Sequence, residues 1–357
     1  MSQFHSFIPL IDTIKVLLHN FIGISLHTKY SLNYGYELQY KHKIRDLNFK
    51  ILKKRVIFVS EKTINIANIP LVIEAAVTPL RKGKPVQSAE IMIEESKACI
   101  EAGAFIIHHH HDFRHSKEDA IKEISDVGKG ILETYPHAYI YANYMQSDDL
   151  WGKYAYLQPM AEEKTLRMIA LDPGLTQFGN LGEDNLPSIH LQGGTTYPEA
   201  AAIVEFANKH NIPLMIGIYD PSNLRWAVAY ERAGKLPAGT MIKLYFGGRY
   251  SMGGTKTPAV NFGLYPTKEA LDIYVSMLKG TDLPWMVSVQ GDAISQTPLL
   301  RYAIETGGHV RVGIEDTGGA TEMTNRETVE EAVQIAQEVG RPVIQGKEAF
   351  EFLTRKK

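Results

Sequence analysis

The chain carries a single cysteine, Cys99, among 357 residues. That excludes an intrachain disulfide and a thiolate metal cluster, and it fits a reducing, cytoplasmic setting. No apolar stretch reaches the ~18 uninterrupted residues that a membrane-spanning helix requires. Neither sign of charge dominates: 38 Lys and Arg stand against 40 Asp and Glu, a net of −2, which argues against a nucleic-acid binder driven by electrostatics. The first strand pattern is not followed by a glycine-rich dinucleotide fingerprint, since Thr78-Pro79-Leu80-Arg81-Lys82-Gly83 stands there, and this counts against a Rossmann domain.

What is present divides in two. Residues 1–67 hold a net charge of +6 and are rich in Ile, Leu, Tyr, Asn and Lys, whereas residues 68–357 hold −8. The first segment lacks a secretory cleavage pattern, and with only Arg45 and Arg55 it is a poor targeting peptide. It reads as a packing appendage, a disordered arm or translated upstream sequence, with no function assigned.

From about Ile69 short apolar runs alternate with helical patterns. Strands are expected at 71–77, 105–107, 138–141, 168–171, 214–218, 241–246, 285–289 and 309–314. Helices are expected at 88–102, 116–134, 198–210, 223–234, 268–278 and 298–306, with a last one opened by the capping box Thr324-Asn325-Arg326-Glu327 and stopped by Gly340. Eight strands spaced by helices over some 290 residues indicate a (β/α)8 TIM barrel at 68–357, preceded by the extra N-terminal segment. Chemistry is then expected at the C-terminal ends of the strands.

Two stretches carry that chemistry. Ile106-Ile107-His108-His109-His110-His111-Asp112 places four histidines directly after an apolar strand. Alternation puts His108 and His110 on one face and His109 and His111 on the other, with same-face residues ~6.5–7 Å apart. Either pair can converge on one metal ion, and a solvated strand end is the competing reading. In Arg311-Val312-Gly313-Ile314-Glu315-Asp316, alternation puts Arg311, Gly313 and Glu315 on one face. Gly313 removes bulk and opens space for a ligand, Glu315 is an oxygen donor able to complete a His/His/Glu site, and Asp316 falls within reach of Arg311. A buried ion pair capping the barrel is the alternative. Glu74 is an acid inside the apolar first strand, and Asn143 ends the third. Gly247-Gly248-Arg249, after the sixth strand, offers backbone N–H groups and a cation to a phosphate. Tyr219-Asp220-Pro221 reads as a turn.

From about Ile69 to Leu353 the sequence resembles the β-keto acid cleavage enzymes. The resemblance rests on Ala102-Gly103-Ala104 with His108 and His110 following, on Thr306–Asp316, on Pro136, Trp285 and Gly340-Arg341-Pro342, and on Lys84–Glu90. It implies a zinc-dependent barrel that reacts a β-keto acid with acetyl-CoA to give acetoacetate and a new acyl-CoA. It also implies a homo-oligomer, a tetramer by resemblance, with no nucleic-acid or membrane partner. Carried over by position, the zinc ligands are His108, His110 and Glu315, and Arg311 with Asp316 is the pair that abstracts a proton. Asn143, Glu74 and Arg81 are the candidate substrate contacts, and Gly247, Gly248 and Arg249 the candidate contacts for CoA.

The chain departs from the family pattern at Asp112, where an Arg is usual, at His109 and His111, usually apolar, and at Asn143, where a serine is expected. Arg81 falls near the position that binds the substrate amine in the aminohexanoate enzyme, so a different and anionic keto acid is expected. A barrel hydrolase or aldolase using the metal without CoA is the second enzyme reading. His190 and His309 are poorly placed for the extra ligands of an amidohydrolase. A metal-binding barrel without turnover is the non-enzymatic reading, and the set Arg311, Glu315 and Asp316 argues against it. The composition break generates the first prediction: a chain beginning at Asn68 folds and keeps turnover. An insoluble or inactive truncation, beside an active full-length protein, would reject it.

Overall fold

A computed structural model describes residues 66–78, 88–252 and 254–355. The boundary drawn at residue 67 and the Arg81 position lie in or beside stretches outside these residues. The strands are β1 Ile73–Val77, β2 Ile106–His109, β3 Tyr139–Ala142, β4 Ile169–Leu171, β5 Gly174–Leu181, β6 Pro187–Thr195, β7 Leu214–Ile218, β8 Met241–Gly247, β9 Ala259–Val260, β10 Trp285–Gln290 and β11 His309–Val312. Eight form one parallel sheet in the order β3-β2-β1-β11-β10-β8-β7-β4. Consecutive barrel strands are therefore neighbours, β1 closes onto β11, and β3 and β4 lie side by side at the seam without a ladder. This nearly closed barrel contains all eight strands expected from the apolar runs. Their runs are continuous because a parallel strand under helices is buried on both faces.

The helices are α1 Ala89–Ala102, α2 Lys117–Thr134, α3 Leu150–Lys153, α4 Leu157–Glu162, α5 Tyr197–His210, α6 Pro221–Arg232, α7 Lys268–Met277, α8 Leu299–Glu305, α9 Asn325–Val339 and α10 Gly346–Thr354. Local chemistry sets their ends. The Ser116 hydroxyl accepts the Asp119 N–H at the start of α2, and reciprocal capping boxes open α5 (Thr196/Glu199) and α9 (Thr324/Glu327). Ile107, Ile140, Ile216 and Val287 are at most 2% exposed between sheet and helices. Each such burial contributes about 1.5–3 kcal/mol. No helix among the described residues is long and apolar enough to cross a membrane.

A second sheet was not expected. β5 and β6 form an antiparallel hairpin after β4, with β9 on the free side of β5. It rises at the C-terminal end of the barrel, where Thr176, Phe178 and Gln192 wall the main cavity. At the opposite end Arg341, 2% exposed, gathers five carbonyls, those of Ile69, Pro70, Ile304, Gly307 and Gly308. It ties the chain entering β1 to the turn entering β11, which explains a structural role for Gly340-Arg341-Pro342. Replacing Arg341 by Met leaves those carbonyls without a donor. The variant is expected to lose about 3–5 kcal/mol of stability, which lowers Tm by roughly 10 °C or more, with metal stoichiometry unchanged. An unaltered thermal transition would contradict this.

Candidate metal centre and active site

His108 is the third residue of β2, and His110 lies one residue beyond its end. Both rings face the barrel interior, as alternation predicts. Across the barrel, β11 stops at Val312, two residues earlier than expected, and the chain turns through Gly313 into a 3-10 turn at Glu315–Thr317. Gly313 has φ +115°, and a Cβ there would meet the Ala76 carbonyl at 2.4 Å. Its missing side chain thus makes room for the backbone of β1, not for a ligand as the sequence suggested. The turn also brings Glu315 and Asp316, which would diverge on a strand, back to the same arginine.

The three proposed ligands converge. The Nε2 atoms of His108 and His110 are 3.2 Å apart. Glu315 Oε1 is 3.0 Å from His110 Nε2, and Oε2 is 3.4 Å from His108 Nε2. Glu315 Oε2 and His108 Nδ1 are buried with no hydrogen-bond partner. Among the described residues this is the one set of three or more His, Cys, Asp or Glu ligand atoms that converges, all within 4.8 Å. Two facing imidazole nitrogens beside a carboxylate form an N,N,O donor set that suits a divalent ion and leaves coordination positions for substrate. The electrostatics agree. Burial pushes the His108 imidazole down to about 4, with Glu315 opposing, so the ring is neutral with a lone pair to offer. Burial works against the charge of Glu315, but Arg311 and the two histidines hold its carboxyl well below the usual range. Asn143, at the end of β3, places its amide 3.5 Å from His110 Nδ1. With Oδ1 turned to the ring, it accepts the Nδ1 proton and leaves Nε2 for a metal.

The other two histidines do not join this set. Both ring nitrogens of His109 are buried without partners, and burial holds its imidazole down at about 3. The His111 ring packs against Phe113 at 4.7 Å.

Behind the ligands stands Arg311, 1% exposed. Its Nε and Nη2 donate to both oxygens of Asp316 at 2.6 and 3.0 Å, Nη1 donates to Glu74 at 2.7 Å, and Nη2 lies 2.8 Å from Glu315 Oε1. Ser288 adds a 2.7 Å bond to Asp316. Glu74 Oε1 also accepts from Tyr141 at 2.6 Å and from Lys243 at 2.9 Å, and Lys243 donates to the Tyr141 hydroxyl. Burial, helped by Arg311, lowers the pKa of the Lys243 ammonium, while Glu74 opposes the shift.

A cavity of about 640 Å³ opens at this end of the barrel. His108, His110, Glu315, Tyr141, Asn143 and Lys243 line one side, and the hairpin walls another. Arg311, Asp316 and Glu74 are not in its lining. The first two border a separate void of about 20 Å³, beside Ser288 and Gly313. Glu74 therefore bears on the cavity through Lys243 and Tyr141. Arg249 stands outside the cavity lining, with Nε and Nη2 donating to Asp292 at 2.6 and 2.8 Å. Sequence reading passed over Lys243 and Asp172. Lys243 had a usable signal, the same one that marked Glu74: a charge inside an apolar strand.

A β/α barrel with two histidines and a carboxylate converging beside a cavity at its C-terminal end is the framework of a barrel enzyme with a candidate metal site. The chain belongs to the β-keto acid cleavage enzyme family, whose sequence profile matches residues 70–354. It is 27% identical over 274 residues to the 3-keto-5-aminohexanoate cleavage enzyme of Acetoanaerobium sticklandii, covering 74% of this chain and 89% of that protein. It is 24% identical to the 3-oxoadipate:acetyl-CoA acetyltransferase of Cupriavidus necator, covering 77% and 91%. Among solved structures the apo form of ObcA superposes with a TM-score of 0.53 at 12% identity, over 74% of this chain and 64% of that one, a likeness of fold.

The ligand geometry generates a prediction. Purified protein should hold about one divalent ion per chain, measured by inductively coupled plasma mass spectrometry. His108→Ala, His110→Ala and Glu315→Gln should each lower that content, while His109→Ala should not. Full metal content in both His108→Ala and His110→Ala would show that another set binds the ion.

Proposed function

We propose that the protein is a zinc-dependent acyltransferase that converts a β-keto acid and acetyl-CoA into acetoacetate and the acyl-CoA of the remaining fragment. The observation that carries this reading is the triangle of His108, His110 and Glu315 facing the cavity, with Glu315 Oε2 buried and without a hydrogen-bond partner. His108, His110 and Glu315 would hold the ion, which when bound would polarise the keto acid's ketone and so acidify the carbon between ketone and carboxylate. The acetyltransferase relative supports acetyl-CoA as co-substrate.

Asp316 is the proposed base for that carbon. Arg311 fixes it through two hydrogen bonds, and because Asp316 lies outside the cavity lining, a side-chain movement has to bring it to the substrate. The carbanion attacks the acetyl carbonyl of acetyl-CoA and expels the CoA thiolate. The thiolate then attacks the original ketone. The bond from that carbon to the central carbon breaks, its electrons pass to acetoacetate, and Asp316 returns the proton. Asn143, which faces the cavity, is the proposed partner for the substrate carboxylate. The N–H groups of Gly247 and Gly248, expected to face a phosphate, donate instead to the Leu264 and Gln290 carbonyls, so Arg249 alone is the proposed contact for a CoA phosphate, which would share it with Asp292.

The direct test is a panel of β-keto acids with acetyl-CoA, with acetoacetate and acyl-CoA followed by mass spectrometry. Release of free acids without acyl-CoA would point to a hydrolase instead. The base is tested separately. Asp316→Asn is nearly isosteric and should keep its metal yet lose turnover by 10²–10⁴-fold, about 3–5 kcal/mol of transition-state stabilisation. Enzyme-catalysed exchange of the keto acid's α-hydrogens in D₂O should fall with it. Normal exchange in that variant would remove Asp316 as the base and leave the Arg311–Asp316 pair as a support for Glu315.

A further inference from the structure

The cavity extends past the metal ligands to a second polar group of side chains. Tyr141 joins the two regions: its ring packs on His108 at 4.6 Å between centroids, and its hydroxyl meets Lys243. Asp172, one residue beyond β4, also lines the cavity. Its Oδ1 lies over Gly217, where a Cβ would approach to 2.1 Å, and the Gly217 N–H donates to its carboxylate. Gly217 is the ladder neighbour of Lys243, so Asp172 and Lys243 occupy adjacent positions on the cavity wall.

Each presents one unused valence. The Lys243 ammonium has three protons, and Glu74 Oε1 and the Tyr141 hydroxyl account for two. Asp172 has one oxygen on the Gly217 N–H, and its other oxygen has no cationic partner within salt-bridge distance among the described residues. The wall behind them is aromatic, with Tyr219 and Tyr245 stacked at 4.5 Å and Phe178 edge-on to Tyr219 at 5.7 Å.

We infer that Asp172 and Lys243 form the subsite for the tail of the β-keto acid, and that they select a tail carrying a neutral hydroxyl group. The inference rests on the acyl-transfer reading above. A hydroxyl accepts from Lys243 and donates to Asp172 at once. A carboxylate tail satisfies Lys243 but meets the charge of Asp172, and an ammonium tail does the reverse. An alkyl tail leaves the third Lys243 proton and the second Asp172 oxygen without a partner where it displaces water. Burial raises the Asp172 carboxyl to about 6, with Lys243 and Arg311 opposing, as expected of an acceptor short of donors. The anionic keto acid expected from Arg81 would thus be opposed by Asp172 at this wall.

Isothermal titration of the zinc-loaded protein with four acids of one chain length tests the inference: 3-oxohexanoate, 5-hydroxy-3-oxohexanoate, 5-amino-3-oxohexanoate and 3-oxoadipate. The hydroxy acid should bind about tenfold or more tightly than each of the others. Asp172→Ala should bring it down to the level of 3-oxohexanoate, and Asp172→Asn, which can still accept a hydrogen bond, should keep part of the preference. Tightest binding of the alkyl, ammonium or carboxylate acid, or an unchanged order in Asp172→Ala, would overturn the subsite. The two readings fail separately. The expected order of binding without any acyl-CoA formed would support the subsite and reject acyl transfer. Acyl-CoA formed from all four acids with equal binding would reject the subsite alone.

Discussion

The guanidinium of Arg311 is buried in the barrel interior and touches three carboxylates: Glu74, Glu315 and Asp316. Each of those acids would be costly to bury alone. Arg311 pairs with all three, and its fork fixes their directions, with Asp316 gripped through two nitrogens. Glu315 is thereby aimed at His108 and His110 in the ionised form a metal requires. Lys243 compensates Glu74 from the other side. These groups hold three carboxylates against two cations, and the one surplus negative charge favours a cation at the ligand triangle, in line with the ligand geometry.

The barrel makes this possible because its strands deliver side chains to one end from both sides of the β1–β11 ladder. Glu74 and Arg311 are ladder partners on adjacent strands, and Ala76, His108 and Tyr141 form the next row on the β2 side. The residues that would bind metal, support it and contact the substrate tail are thus neighbours in the sheet though distant in sequence. The β5–β6 hairpin completes the enclosure.

Much of this was legible in the sequence. The eight barrel strands could be located because a strand buried on both faces is apolar throughout, and helical periodicity brackets each such run. His108 and His110 were separable from His109 and His111 by alternation together with the family resemblance. Three features were not legible. The turn at Gly313 breaks the alternation used to orient Glu315 and Asp316, because a glycine with positive φ ends β11 early. The β5 strand of the hairpin is only half buried, so it carries no continuous apolar run to mark it. Asp172 sits in a loop after a strand of three residues, where only the tertiary approach of Gly217 shows that its carboxylate faces the cavity. Placement of Arg311 and Asp316 behind the cavity lining likewise depends on packing that no local pattern encodes.

The central claim is that His108, His110 and Glu315 hold the metal on which a β-keto acid binds. X-ray absorption at the zinc edge tests it most directly, on the zinc-loaded protein alone and with 3-oxohexanoate added. The account predicts two imidazole ligands and oxygen ligands at about 2.0–2.2 Å, with a change in the oxygen shell when the keto acid is added and the imidazole count unchanged. A spectrum with no imidazole scattering, or one that the keto acid leaves unaltered at saturation, would contradict it.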